Sequence, residues 1–354
     1  MKKYLILCLL LVVSCGPSEA EIQERIDNAV EQATSTTTTS STSTTVADST
    51  TSMTTSSTST TVADSTTSMT TSSTSTTVAD STTSMTTTLD KGNYYSSKYL
   101  SNYTLYDEEF GTSVEVTISN EVRTIVSNAI PNHRTGSFPN PGNPHTITEQ
   151  NKIWNFTLNG VYTGTAKDVR EPGVALNGVK FEPGTAETVT CNTGEVYRVE
   201  GLQQDFPLGM DINNAHVQPS GEYHYHGVSE LLIDVFSNSN DLVLTGFAQD
   251  GFLIYYSKSN NYKSSYQLSS TPRKGTNCTV SLRNQQDLDL EGTTPNGTYT
   301  EDWNYIANSG ELDECNGAFI NDQYAYVITN EYPYFPRCLF GEFTEQSPGR
   351  PRRP

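Results

Sequence analysis

Three of the five histidines lie close together in the chain, at His216, His224 and His226. On a β-strand, side chains alternate between faces, so His224 and His226 would point one way while Tyr223 and Tyr225 point the other. Two imidazoles on one face can bind the same zinc or copper ion, because each metal–nitrogen bond is only about 2.0–2.1 Å long. The spacing therefore predicts metal chemistry. The alternatives are a surface pair and a buried hydrogen-bond network.

The turn that precedes this pair decides where His216 lies. Residues 219–221 fit a three-residue hairpin loop, in which Pro219 presets φ and Gly221 takes the left-handed conformation. In that register His216 lies opposite His224, and all three histidines share one face. A loop of two or four residues would place His216 opposite Tyr225 and on the other face.

Four further residues are candidates for completing the site. His133 lies in an irregular segment and could be a fourth ligand, an acid or base, or a solvated side chain; His145 looks like a surface residue. Asp250 lies at a tight turn that its carboxylate could also cap, and Asp313 and Glu314 precede a cysteine. Each carboxylate could bind a metal, orient a ligand imidazole from behind, or act as a base.

The N-terminus predicts export and lipidation. Residues 1–14 combine Lys2 and Lys3 with an apolar run that is too short to span a bilayer stably. The segment that follows resembles a bacterial lipobox, with Cys15 as the lipidated residue that holds the protein at a membrane; the alternative is an ordinary signal peptide. Gly16 favours the outer membrane over inner-membrane retention, so we expect a cell-envelope location facing the periplasm or the exterior.

The remaining organisation is a tether and one folded domain. Residues 15–34 form an acidic anchor segment, and residues 35–88 are a repetitive Ser/Thr-rich stretch that predicts a disordered stalk. We expect the folded domain over residues 94–343 and a frayed tail over residues 344–354. The net charge of −19 argues against nucleic acid or anionic lipid as a partner.

Four cysteines remain in the folded part, namely Cys191, Cys278, Cys315 and Cys338. An even number in an exported chain predicts two disulfides, with three possible pairings. We favour Cys315 with Cys338, which closes a short loop, and hence Cys191 with Cys278. Metal binding by these cysteines is disfavoured because no Cys-x₂-Cys pair occurs.

Short alternating runs predict a mostly β fold. The runs lie at residues 114–118, 154–158, 231–236, 242–247, 252–256 and 324–328. No long amphipathic helix is evident. We expect a single domain with long Pro/Gly loops, either a twisted β-sandwich or a barrel-like fold.

The chain resembles the YHYH family, a bacterial exported domain named after the tetrad that stands here at residues 223–226. The resemblance extends over residues 129–338, including 131–136, 173–178, 183–187, 214–216, 250–252, 312–317 and 332–334. The family has no established activity, so the resemblance implies no reaction. Residues 224–230 also fit the cupin pattern His-x-His-x₃-Glu, but the second cupin block is missing because no histidine follows His226.

The leading hypothesis is a lipoprotein whose domain binds copper or zinc through His216, His224 and His226, with His133 or Glu314 completing the set. An open coordination position would allow hydrolytic or redox chemistry. The alternative is a metal-free cell-surface binding or adhesion module for a small molecule, carbohydrate or protein, in which the histidines bond to Asp250, Asp313 and Glu314. A purely structural envelope protein is a third possibility. Signatures of serine hydrolases, kinases and zincins do not occur.

Overall fold

A computed structural model of the chain describes residues 97–281 and 287–344. The expected signal peptide, the lipidation site at Cys15, the anchor segment, the Ser/Thr-rich stalk and the tail beyond residue 344 lie outside the described residues. All described residues belong to one compact unit. None of the helices found in this part of the chain has the length and apolar character needed to cross a membrane.

Strands dominate the domain. The helical segments are α1 (Ser97–Leu100), α2 (Glu230–Phe236) and a 3₁₀ turn (Thr300–Asp302). The strands in chain order are β1 (Tyr103–Asp107), β2 (Thr112–Ser119), β3 (Val122–Ser127), β4 (Lys152–Thr157), β5 (Lys167–Asp168), β6 (Gly173–Ala175), β7 (Lys180–Phe181), β8 (Gly184–Cys191), β9 (Val196–Glu200), β10 (Ala215–Val217), β11 (Tyr223–Tyr225), β12 (Leu242–Ala248), β13 (Leu253–Ser257), β14 (Tyr266–Leu268), β15 (Cys278–Val280), β16 (Asp287–Leu288), β17 (Trp303–Tyr305), β18 (Gly317–Ile320), β19 (Gln323–Ile328) and β20 (Cys338–Leu339).

Two sheets enclose the main core. One is an antiparallel sheet of order β1-β2-β3-β4, and the other has eight strands in the order β10-β11-β7-β6-β12-β13-β19-β18. Alternate side chains of β2 point inward, so Val114 and Val116 join Phe247 and Tyr326 of the larger sheet in one buried apolar cluster. This arrangement confirms the predicted β-sandwich. Both sheets are open in the part of the chain that the structure describes, so the barrel-like alternative is not realised there.

The prediction of a strand at residues 231–236 is wrong, since this segment is helix α2. Ser229 caps the helix by accepting a hydrogen bond from the backbone N–H of Leu232. The buried residues Leu232, Ile233 and Phe236 follow the helical spacing i, i+1 and i+4 and pack into the main core. A short apolar run does not distinguish a strand from a buried helix by periodicity alone.

A smaller sheet of order β16-β15-β8-β9 carries a second apolar cluster. Within it, the disulfide between Cys191 and Cys278 joins directly opposite residues of β8 and β15. The second disulfide joins Cys315 to Cys338. Both bonds pair the cysteines as the sequence analysis favours. Two disulfides are typical of a protein exported to the cell envelope or the exterior.

Candidate metal centre

A hairpin at one edge of the eight-stranded sheet positions the three histidines. Gly221 has φ +86°, its N–H donates to the Gln218 carbonyl at 2.8 Å, and the Gln218 N–H donates to the Glu222 carbonyl at 2.9 Å. The loop therefore holds three residues, as predicted, and β10 pairs with β11 so that His216 lies opposite His224. This register places the three imidazoles on one face.

The Nε2 atoms of the three histidines converge. His226 Nε2 lies 2.9 Å from His224 Nε2 and 3.1 Å from His216 Nε2. Within residues 97–281 and 287–344, these form the one group of three or more His, Cys, Asp or Glu ligand atoms that all lie within 4.8 Å of one another. Two nitrogens that share an ion at about 2.1 Å each must lie within about 4.2 Å of each other. The separations of 2.9 and 3.1 Å from His226 Nε2 lie within that limit.

Backbone carbonyls face the other nitrogen of each ring. His216 Nδ1 lies 2.8 Å from the Leu208 carbonyl, and the Nδ1 atoms of His224 and His226 lie 3.4 and 3.5 Å from the carbonyls of Glu222 and Pro183. An imidazole that donates from Nδ1 keeps a lone pair on Nε2. The carbonyls thus favour a tautomer in which three lone pairs point toward a common centre, as metal ligation requires.

Burial keeps the three rings neutral. Burial lowers the pKa of His216 below its usual value, and the Leu208 carbonyl opposes this effect only in part. Burial and then the neighbouring histidines hold the pKa of His224 and of His226 well below the ordinary value. The rings are therefore in the protonation state that binds metals.

Gly201 packs against the His226 ring so closely that a Cβ there would lie 2.6 Å from Nδ1.

The tyrosine side chains of the tetrad lie on the opposite side of β11 from the histidines. The Tyr223 hydroxyl donates to Asp211 Oδ2 at 2.7 Å, and the Tyr225 hydroxyl lies 2.6 Å from His133 Nε2. The side-chain amide of Asn177 also donates to the Tyr225 hydroxyl, at 2.9 Å. His133 is buried in this second network behind the strand, so the structure does not bring it to the other three histidines.

The carboxylates selected from the sequence also have other partners. Asp250 accepts hydrogen bonds from the Tyr326 hydroxyl at 2.6 Å and the Gly341 N–H at 2.9 Å. Asp313 accepts from the Tyr324 hydroxyl at 2.7 Å and from two backbone N–H groups of its own turn. Glu314 is exposed. The bonds of Asp250 and Asp313 go to other partners. These two residues therefore do not form the expected hydrogen-bond network with the histidines.

The carboxylate beside the site is Glu182, which the sequence analysis did not select. Its Oε2 lies 3.9 Å from His224 Nε2 and 2.8 Å from Lys180 Nζ, and its Oε1 is 2.5 Å from Arg170 Nη2. Lys180 is 2% exposed, and Glu171 also accepts from it at 2.8 Å. The sequence signal is the presence of Lys180 and Glu182 on either side of Phe181, where a fully apolar strand would be ordinary.

Charge pairing sets the ionisation of this network. Burial acts to lower the pKa of Lys180, but Glu182, Glu171 and Glu222 together raise it above the usual value. For Glu182, burial acts to raise the pKa, and Lys180 and Arg170 reverse this effect and lower it. Both side chains are therefore charged in the folded protein.

A cavity of about 1060 Å³ opens over the three histidines. Its walls come from the hairpin, from the Lys180 network, and from β8 and β15 of the smaller sheet, so it lies between the two apolar clusters. His145, expected at the surface, is instead half-buried in the wall of this cavity. The difference arises because the Asn143 side chain accepts from the His145 N–H at 3.1 Å and donates to the Val217 carbonyl at 2.8 Å, which fixes the loop against β10.

The fold and the site together define a disulfide-bonded β-sandwich domain with a cluster of three histidines, of which two are buried and His216 is half-buried. The family model described as YHYH protein matches residues 153–341, and the chain belongs to this family. The match includes the hairpin, Glu182 and all three histidines. No curated protein and no solved structure matches the chain significantly.

Proposed function

We propose that the domain binds one divalent transition-metal ion, copper or zinc, through the Nε2 atoms of His216, His224 and His226. The observation that carries the proposal is the convergence of these atoms, with separations of 2.9 and 3.1 Å and a backbone carbonyl at each Nδ1. Without an ion, the lone pairs of two buried histidines and one half-buried histidine would face one another. Neutral imidazoles suit both Cu(II) and Zn(II).

The charge of the cavity supports a divalent cation. Its cationic lining residues are Lys152, Arg170 and Lys180. Its anionic lining residues are Glu171, Glu182, Glu187, Glu222 and Asp205. With neutral histidines, the five carboxylates exceed the three cations by two charges, which one divalent ion balances.

Elemental analysis of the full-length protein tests the proposal. The protein is purified from an oxidising compartment without chelators, and we expect near-stoichiometric copper or zinc. The double variant His224→Ala/His226→Ala should lose the metal. His145→Ala is the matched control, because it removes a cavity histidine outside the converging group, and it should retain the metal.

Absence of metal in the wild-type protein, with no uptake on adding copper or zinc, would overturn the proposal. That result would favour a metal-free binding module, and glycan and protein partners would then be screened. Retention of the metal by the double variant would show that another site binds it.

We also propose that a lipid on Cys15 anchors the domain to a membrane, with the outer membrane favoured where the cell has one. The lipobox-like sequence ahead of Gly16 supports this proposal. Labelled palmitate should be incorporated into the wild-type protein and not into Cys15→Ala, which should appear in the soluble fraction. Membrane association of the variant equal to that of the wild-type protein would contradict the proposal.

A further inference from the structure

Glu182, the carboxylate beside His224, has no free lone pair with which to bind a metal. Glu182 Oε1 accepts from Arg170 Nε at 2.6 Å and Nη2 at 2.5 Å, and Oε2 accepts from Lys180 Nζ at 2.8 Å and Gln218 Nε2 at 2.5 Å. A carboxylate offers about four lone-pair positions. Glu182 could therefore bind a metal only by giving up one of these bonds.

The other candidate ligands are also engaged away from the three histidines. His133 contacts Tyr225 behind the strand, and Asp250 and Asp313 accept from tyrosine hydroxyls. In contrast, His216, His224 and His226 all line the cavity. The three histidines are therefore part of the wall of a chamber large enough for a small molecule.

We propose that the metal keeps one coordination position open to this cavity and that a small exogenous anion with oxygen donors, a carboxylate or a phosphate, occupies it. The inference rests on the proposed function and names the ligand class of the same site. Three neutral imidazoles place no negative charge in direct contact with the ion, and Glu182, the carboxylate beside them, is paired with Arg170 and Lys180. The excess carboxylates of the cavity wall balance the charge of the ion only from a distance, whereas an anion at the open position would be its direct ligand.

Arg170 is placed to assist such an anion. Its side chain is 48% exposed and lines the same cavity, and its bonds to Glu182 use only Nε and Nη2 of a guanidinium with five N–H donors. Arginine binds carboxylates and phosphates through pairs of parallel N–H donors of this guanidinium.

Glu187 has the opposite effect to Arg170 on the binding of an anion. It projects from β8, a strand of the smaller sheet, and is a half-buried residue of the cavity wall. Its Oε2 accepts from the neighbouring Ala186 N–H at 3.1 Å. Its negative charge opposes an anion in the cavity, so removing that charge should strengthen binding.

An azide titration of the copper-loaded full-length protein tests the inference. Azide bound to Cu(II) changes the optical and paramagnetic resonance spectra, so we expect a saturable change in the wild-type protein. Arg170→Gln should weaken azide binding about tenfold, which corresponds to about 1.4 kcal/mol. Arg170→Lys should recover part of the loss, and Glu187→Gln should bind azide more tightly than the wild-type protein.

Lys167→Gln is the matched control, because Lys167 forms an exposed ion pair with Glu342 and does not line the cavity. Its azide affinity should equal that of the wild-type protein. Formate and inorganic phosphate, added as competitors, distinguish the two anion classes, since the ligand class that the site accepts displaces azide.

Each outcome decides between the two proposals. Stoichiometric copper without any effect of azide would show a closed position and overturn this inference while leaving the proposed metal site intact. Equal azide affinity in the wild-type protein, Arg170→Gln and Glu187→Gln would overturn the part assigned to the cavity walls. Absence of bound copper would overturn the proposed function and this inference together.

Discussion

Tyr225 and His226 are neighbours in the chain, but their side chains lie on opposite sides of β11. Tyr225 contacts His133 and Asn177 behind the strand, while His226 contributes Nε2 to the converging group that faces the cavity. The two tyrosines fix the strand from behind, which sets the positions of the two histidines in front. The tetrad therefore positions the strand as well as contributing two of the proposed metal ligands.

The buried ammonium group of Lys180 compensates the negative charges of the neighbouring carboxylates. Lys180→Met would leave Glu171, Glu182 and Glu222 without the cation that lies 2.8, 2.8 and 3.6 Å from them. We expect the free energy of unfolding, measured by urea denaturation, to fall by about 3–5 kcal/mol. Lys167→Met removes an exposed pair and should change it by only about 0.5 kcal/mol. Equal effects in the two variants would contradict the role of Lys180.

The buried histidines should make the metal-free protein sensitive to acid. Burial lowers their pKa in the folded state, so the unfolded state, with a pKa of about 6.5, binds more protons once the pH falls below that value. Stability is thus complete above pH about 6.5 and decreases below it, by about 1.4 kcal/mol per pH unit for each histidine involved. We expect His224→Gln/His226→Gln, unfolded in the presence of chelator, to show a flatter pH dependence. An unchanged slope would contradict the assignment.

At the scale of elements, the hairpin between β10 and β11 sets the register of the site. Gly221 has φ +86°, and a Cβ at this position would lie 1.9 Å from Thr148 Oγ1. We expect Gly221→Ala to lower the stability by about 1–3 kcal/mol and to weaken metal binding, measured by denaturation and by metal titration. Gly111 has φ +77°, and no atom of the described residues lies within 4 Å of the position that a Cβ would take there. Gly111→Ala therefore reports the backbone strain alone and should leave metal binding unchanged.

Local signals explain which elements the sequence predicts. The Pro-Ser-Gly loop determines the pairing of its own flanking strands, so the position of His216 opposite His224 follows from nearby residues. The sequence does not predict helix α2, because its apolar run is too short to distinguish a helix from a strand. Ser229, directly before the helix, is nevertheless a typical N-cap residue. The capping signal, weighed with the spacing of Leu232, Ile233 and Phe236, would have favoured the helix.

Non-local pairing explains what the sequence does not predict. Lys180 and Glu182 reach the site because β7 pairs in parallel with β11, with His224 opposite Lys180. A parallel pair needs a long connection, and no local pattern indicates which distant strand will be the neighbour. For the same reason, the choice of His133 or Glu314 as a completing group could not be tested from spacing alone.

For the whole molecule, the cavity depends on two sheets with separate apolar clusters. The Cys191–Cys278 disulfide lies in the smaller sheet, whereas the three histidines lie at the edge of the larger one. We expect Cys191→Ser/Cys278→Ser to lower the free energy of unfolding by about 2–5 kcal/mol and to leave metal stoichiometry unchanged below the unfolding transition. Loss of metal by the folded variant would show that the smaller sheet contributes to the binding site.

X-ray absorption spectroscopy of the metal-loaded full-length protein tests the central claim most directly, because it counts the ligands at the ion. We predict three imidazole nitrogens at about 2.0–2.1 Å, with any remaining ligand a light atom. The double variant His224→Ala/His226→Ala should give no such spectrum. Sulfur at about 2.3 Å, or fewer than two imidazoles in the wild-type spectrum, would contradict a metal centre built from His216, His224 and His226.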